Sequence, residues 1–474
     1  MSPSHHPLTS ADTAWLHMDR PTNLMVINGV LLFERPLDWT RVSEIIRLRL
    51  VDRFPRFRQR VAESRIMLRG PRWEEDPDFD LSRHLHRRGL PEPGDEAALR
   101  ALVSDLASMP LDRDRPLWDM YLVDGPAGGS AIVVRVHHCV GDGVALARVL
   151  LTLADDSPQP PPSAPEARRD GRLDAVLGPL ERSLSAAARV ARSVATEGRE
   201  TLTHPHHALD VAGGLAADAR ALAKLVLSPG EEKSILRDEL GAARAFAWSA
   251  PIALARVKAL ARTHKATVND VLLAAVSGAL RHYLVTHGEE PHEVRAFVPV
   301  NLRPAEAPVP VELGNQFGLV LLALPVDRWR RSERLALLKR RMDDIKHSPE
   351  GPVSYAVLAA IGMTPSQVEA HLVDVFAAKA SAVITNVVGP HETLSVAGVP
   401  VRTVLVWAPT AGTVDMSISI FSYRGEVTVG LLVHLDAVPN PELIVEGLEH
   451  ELGLMEQHEA RDAVSHESPE RPGV

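Results

Sequence analysis

Two adjacent histidines close a β-branched run at Ala131-Ile-Val-Val-Arg-Val-His137-His138, and Cys139-Val140-Gly141-Asp142-Gly143 leads into the next apolar segment. Successive strand side chains point to opposite faces, so the two imidazoles cannot enter one cavity. His138 shares parity with Ile132, Val134 and Val136, whereas His137 sits with Arg135. His138 is therefore expected at the end of an apolar face. A neutral imidazole there can take a proton from an alcohol, thiol or amine near neutral pH. Asp142 stands at the expected start of a helix, where it can cap backbone N–H groups or pair with an arginine and fix the loop. Gly141 and Gly143 permit the tight backbone that both roles need. Cys139, the single cysteine, would point away from His138 on a continuing strand. It is read as a bystander, not as a nucleophile.

The elements that must position these groups alternate in type. Strand patterns fall at 24–33, 118–123 and 131–138, and amphipathic helix patterns at 39–51, 95–108 and 144–153. Five prolines between Asp156 and Pro165 forbid helix or sheet and mark a linker. The reading is an N-terminal lobe over 1–155, a Pro-rich and then helical connection over 156–245, a C-terminal lobe over 246–457, and an unstructured tail over 458–474. Within the second lobe, helices are expected near 251–263, 268–285, 332–345 and 439–455. Its strands are expected near 294–300, 318–324, 382–387, 399–406, 413–421 and 426–433. Two mixed α/β lobes place a ligand site in the cleft between them.

Composition narrows the chemistry. The 474 residues carry a formal net charge of −9 with 4% aromatics, which argues against a nucleic-acid partner. One cysteine excludes an internal disulfide and a thiolate zinc site, and it fits a reducing compartment. No signal peptide and no apolar window of about 18 residues stand out, so a cytoplasmic, soluble or peripheral protein is expected. His204, His206 and His207 are read as solvated linker histidines, with no metal site. Basic amphipathic stretches at 180–194 and 329–342 could lie on an anionic lipid surface. The preferred reading of each is a solvated face over an ordinary core face. Trp118 is read as a core residue, and Asn269-Asp270 as a plain helix cap unless other residues say otherwise.

Those other residues exist. His137-His138-x-x-x-Asp142-Gly143 matches the signature of the CoA-dependent acyltransferase superfamily, which includes condensation domains and chloramphenicol acetyltransferase. Arg115-Pro116-Leu117-Trp118 resembles the Pro-Leu-Trp motif of bacterial wax ester synthase/diacylglycerol acyltransferases. Ala247-Trp248-Ser249, the Asn269-Asp270 segment, Val298-Pro-Val-Asn301-Leu-Arg303, Leu313-Gly-Asn315-Gln316 and Thr385-Asn386-Val-Val-Gly-Pro390 look like that family's second-lobe motifs. The resemblance runs from about Leu8 to Glu456. It implies an α/β fold of two condensation-domain-like lobes around a central channel. It also implies transfer of a long-chain acyl group from acyl-CoA to diacylglycerol or a fatty alcohol. His138 would be the general base within the catalytic set His137, His138, Asp142 and Gly143, with Asp142 holding the loop and Arg303 its candidate partner. Asn269 and Asp270 would stand at the entrance, and Asn315 and Asn386 would line the cleft on the substrate side. Acyl-CoA enters as a substrate; no cofactor is implied. Lipid substrates make contact with a membrane or a lipid inclusion an expectation. The rivals are a condensation-type acyltransferase of secondary metabolism and a non-catalytic lipid-binding protein. Two departures, Asn301 where the family often has Ser and Val388 where Pro is common, bear on the acceptor.

Overall fold

The computed structural model describes residues 6–63, 70–125, 128–155, 228–231, 234–237, 241–303, 311–346, 348–362 and 366–466. The amphipathic stretch at 180–194 and the histidines at 204–207 lie outside those residues. So does most of the connection. In the first half the elements run β1 (His6–Pro7), α1 (Ser10–Met18), β2 (Val26–Phe33), α2 (Trp39–Ile46), β3 (Gln59–Ala62), β4 (Arg72–Glu75), β5 (Leu85–Gly89), α3 (Glu96–Ala107), β6 (Trp118–Asp124), β7 (Ser130–His137) and α4 (Gly143–Leu151). The second half holds β8 (Arg244–Trp248), β9 (Ile252–Ala253), α5 (Leu254–Thr263), α6 (Val268–Thr286), β10 (Val294–Asn301), β11 (Phe317–Leu324), α7 (Arg331–Lys346), α8 (Glu350–Ile361), α9 (Ser366–Ala377), β12 (Ala382–Val388), β13 (Ser395–Val396), β14 (Val399–Trp407), β15 (Met416–Tyr423), β16 (Glu426–His434) and α10 (Glu442–His466).

Each lobe is built on one large sheet. The first has the order β13-β14-β2-β7-β6-β5, and the second β11-β10-β12-β15-β16-β8 with β9 against β16. β2 and β7 are buried along their whole length, which explains their unbroken β-branched runs. One strand crosses over. β14 comes from the second half of the chain, yet it pairs antiparallel with β2, from Val401 opposite Phe33 to Trp407 opposite Asn28. The pattern at 399–406 reports a buried strand but not which sheet it joins, so reading it as part of the second lobe is corrected here. β8 adds a second tie, because Phe246 and Trp248 pack with Leu99 and Val103 of α3 and with Trp407. The lobes therefore share apolar core.

The basic helix α7 buries its stripe, Leu335 and Leu338, in the second lobe's core, so that stripe is not available to lipid. Arg334 of the same helix is buried as well and pairs with Glu451. Trp329 precedes the helix and stands 67% exposed, outside the stripe. The last helix runs to His466, into the stretch expected to be unstructured. Residues 458–466 contain no glycine or proline, and a polar helix can project beyond a core without breaking. No described helix is long and apolar enough to cross a membrane.

α8 reaches the cleft through two close backbone approaches. A Cβ on Gly318 of β11 would lie 1.9 Å from the carbonyl oxygen of Gly351 at the start of α8. At the other end, a Cβ on Gly362 would lie 1.9 Å from the carbonyl oxygen of Ser10 in α1. Backbone cannot retreat as a flexible side chain can, so only glycine allows α8 to sit between α1 and β11. Gly318→Ala should accordingly lower stability by about 1–3 kcal/mol, the usual range for overpacking. Thermal unfolding of that variant checks it, and an unchanged midpoint would mean that α8 is free to shift.

Candidate active site

Between the lobes lies a cavity enclosing about 1420 Å³ of empty space, its open mouth included. α1 contributes Trp15, β2 contributes Ile27, and the turn after β7 contributes His138, Asp142 and Gly143. From the second lobe, β10, β11, α8, α9 and β12 close the other side with apolar residues such as Phe297, Phe317, Leu358 and Phe376. An apolar cavity with a few convergent polar groups is the usual form of a small-molecule site.

His138 is 5% exposed and lines this cavity. Its ring stacks on Trp15 with centroids 4.2 Å apart and tilts against Phe317 at 5.5 Å. Its backbone N–H donates to the Met25 carbonyl at 2.7 Å, and its own carbonyl accepts from Asn315 Nδ2 at 2.7 Å. Nδ1 is buried. Burial pushes the imidazole down to about 4, against the opposing pull of the Asp142 carboxylate. The ring is thus a neutral base at any ordinary pH.

His137 behaves as strand parity requires. It does not line the cavity; its Nε2 points to Asp19 at 3.7 Å, and its Nδ1 accepts from the Cys139 N–H at 3.1 Å. Burial raises the Asp19 carboxyl, but His137, Arg113 and the Met25 N–H outweigh it and bring it to about 2. His137 therefore anchors the strand end, and its inclusion in the catalytic set is corrected on this geometry. Cys139 is buried in the core, with its thiol pushed up by burial. It does not line the cavity.

Asp142 fills both of the roles left open for it. Oδ1 caps α4 by accepting the Ala145 N–H at 2.8 Å. Oδ2 accepts the Gln316 N–H at 3.1 Å and pairs with Arg303, whose other nitrogen donates to the Gly314 carbonyl. Gly141 and Gly314 pair as a parallel bridge, and the Gly314 N–H donates to the Val140 carbonyl at 3.1 Å. One short loop of the second lobe, 313–316, thus grips the turn carrying the base. Gly143 faces the cavity, and a Cβ there would meet nothing within 4 Å. The space it leaves is the cavity's own.

The substrate-side residues divide. Asn386 lines the cavity and its Nδ2 donates to Asn269 Oδ1 at 2.9 Å, which places both at one rim. Asp270 does not reach that rim. It is 1% exposed and completes a capping box with Thr267, accepting the Thr267 N–H at 2.8 Å. The plain cap reading holds for it, and the entrance reading is corrected. Asn315 acts from behind the base, donating to Asp12 Oδ1 at 2.8 Å and to the His138 carbonyl. It is not a lining residue. Trp118 is core, stacked on His84 at 4.6 Å. Asn301 lines the cavity. Sequence reasoning passed over Trp15, Phe317 and Asp12. The first two are ordinary apolar residues on ordinary elements, and Asp12 lies in an N-terminal helix far from the signature. Burial raises the Asp12 carboxyl, which only its tertiary position reveals.

Removing one partner of a buried pair leaves an uncompensated charge. Asp142→Ala should cost about 3–5 kcal/mol, and adding Arg303→Met should restore part of the loss. Urea unfolding of the two singles and the double checks this, and strictly additive losses would show that the pair does not couple.

Comparison with known proteins follows the geometry. Residues 8–272 match the model of the wax ester synthase/diacylglycerol acyltransferase catalytic domain, and 313–456 match the WS/DGAT C-terminal domain. A Mycobacterium tuberculosis protein named "Probable diacyglycerol O-acyltransferase tgs1" is 30% identical over 403 residues, covering 83% of each chain. "O-acyltransferase WSD" of Acinetobacter baylyi is 26% identical over 471 residues, covering 95% of this chain and 97% of its own. Among solved structures, the wax ester synthase/diacylglycerol acyltransferase from Marinobacter aquaeolei VT8 superposes with a TM-score of 0.66 at 23% identity, covering 96% of this chain and 99% of its own. The first condensation domain of the calcium-dependent antibiotic synthetase does so with 0.60 at 18% identity, covering 95% of each. Both share the two-lobed fold.

Proposed function

Since the chain belongs to the wax ester synthase/diacylglycerol acyltransferase family, and is therefore an acyltransferase, we propose that its cavity moves a long-chain acyl group from acyl-CoA to diacylglycerol or a fatty alcohol, with His138 as general base. The observation that carries this reading is a buried, neutral imidazole opening into an apolar cavity between the lobes.

The acceptor hydroxyl gives its proton to His138 as its oxygen attacks the thioester carbonyl carbon. The tetrahedral intermediate then collapses, the C–S bond breaks, and the imidazolium returns the proton to the leaving thiolate. Ester and free CoA are the products, and no other reactant is needed. Asp142 favours the transient imidazolium through its charge. The N–H groups of Gly143 and Val144 are the candidates for the oxyanion, since both residues line the cavity at the start of α4. The first N–H groups of a helix have no carbonyl within it, and that end of the helix dipole is positive. The Trp15 stack and the Asn315 bond hold the ring still, which is what positional catalysis requires. CoA and both lipids reach the enzyme from water or from the surface of a membrane or lipid inclusion, with no metal or redox cofactor in the scheme.

Purified protein given palmitoyl-CoA should release free CoA with diolein or hexadecanol as acceptor, and His138→Ala should lower the rate about 10²–10⁴-fold. Turnover with neither acceptor would sink the lipid assignment, and undiminished His138→Ala would sink the mechanism. The pH profile is a separate check. Protonation removes the base, so activity is lost only as pH falls through its depressed pKa of about 4. A kcat/KM limb at the ordinary histidine value of about 6.5 would overturn that reading.

A further inference from the structure

A second apolar pocket, about 860 Å³ of empty space including its mouth, adjoins the main cavity. Val144, Asn386, Val387 and Val406 line both, so the two lie on either side of a shared wall. Residues of α4, β12 and the crossing strand β14 line the second pocket, with Ala147, Leu151 and Phe421 on its own sides. Arg148 and Asn386 are its polar side chains among the described residues. It holds no histidine, carboxylate or hydroxyl to do chemistry, so its contents are bystanders to the reaction.

The position of the fork separates the kinds of bystander. A pocket for the end of one long chain would open far from the reacting carbon. This one adjoins the main cavity at Val144, next in sequence to Gly143 and lining the same cavity as His138 and Asp142. A branch so near the base suits an acceptor that is itself branched near its hydroxyl. The donor's acyl chain needs one path away from His138 with any acceptor, and a fatty alcohol adds one more. A glyceride with two acyl chains diverging a few bonds from its free hydroxyl adds two, so it needs a further pocket. Val388, one of the two departures from the family pattern, is 76% exposed at this second pocket, while Asn301, the other, lines the main cavity.

We propose that the side pocket receives the second acyl chain of a two-chain glyceride acceptor, making the fork at Val144, Val387 and Val406 the element that selects diacylglycerol over single-chain alcohols. This rests on the O-acyltransferase reading above and specifies its acceptor.

The test narrows the side pocket from a residue outside the main cavity. The full-length protein and Ala147→Phe are assayed for CoA release from palmitoyl-CoA with diolein, monoolein and hexadecanol. Filling the pocket should lower kcat/KM for diolein by about tenfold or more relative to both single-chain acceptors, the scale on which apolar pockets discriminate. Equal losses with all three acceptors would overturn the proposal, as would failure of the unsubstituted protein to use diolein. A loss that instead follows donor length, palmitoyl-CoA against octanoyl-CoA with hexadecanol as acceptor, would assign the pocket to the donor tail and overturn it as well. If Ala147→Phe does not fold, Leu151→Phe fills the same pocket from the next turn of α4. Absence of turnover with any acceptor is the separate result that removes the underlying acyltransferase reading.

Discussion

The Asp142 carboxylate is the point at which the two lobes become one site. One oxygen ends in the first lobe, on the N–H of Ala145, and the other ends in the second, on Arg303 and the Gln316 N–H. Both oxygens are engaged, which offsets part of the cost of burying the charge. Were the carboxylate only a cap, α4 would form but the loop 313–316 would have no ionic reason to lie against it. Were it only a salt-bridge partner, the helix start would be loose. Because it is both, Asn315 is delivered to the carbonyl of His138 and Gly314 to that of Val140. His138 is held through its main chain while its ring faces the cavity.

That arrangement has a chemical consequence. Trp15 and Phe317 exclude water from the imidazole, and the same exclusion keeps it neutral. In the proposed mechanism a base so depressed is intrinsically weaker, and the nearby Asp142 charge would favour its imidazolium in a dry setting, where electrostatic effects are less screened. The crossing strand β14 completes the enclosure. By leaving the second lobe's sheet to pair with β2, it carries Val406 to the wall that the main cavity and its side branch share.

Much of this was legible in the sequence. Strand parity alone separated His138 from His137 and removed Cys139 from consideration, because alternation is a property of the extended backbone and needs no partner. The Asp142 cap and its arginine were readable as alternatives from residue types, and family motifs named Arg303, Asn315 and Asn386. The two-lobed α/β architecture followed from alternating periodicities on either side of a proline cluster.

The sequence by itself therefore determined the candidate base, the face of the strand it occupies and, through its motifs, the class of chemistry, since these depend on local spacing. Tertiary structure alone decided which groups surround the base. Trp15 and Asp12 come from the N-terminal helix, and loop 313–316 comes from the other lobe, and no local pattern encodes proximity across such separations. It also decided that Asp270 is buried in a capping box and not at the entrance, and that Arg334 is paired inside the core. The same residue types serve on either side of a surface, and only packing chooses the side. The side pocket beside Val144 has the same origin, since the strand that enters the sheet of the other half supplies part of its wall.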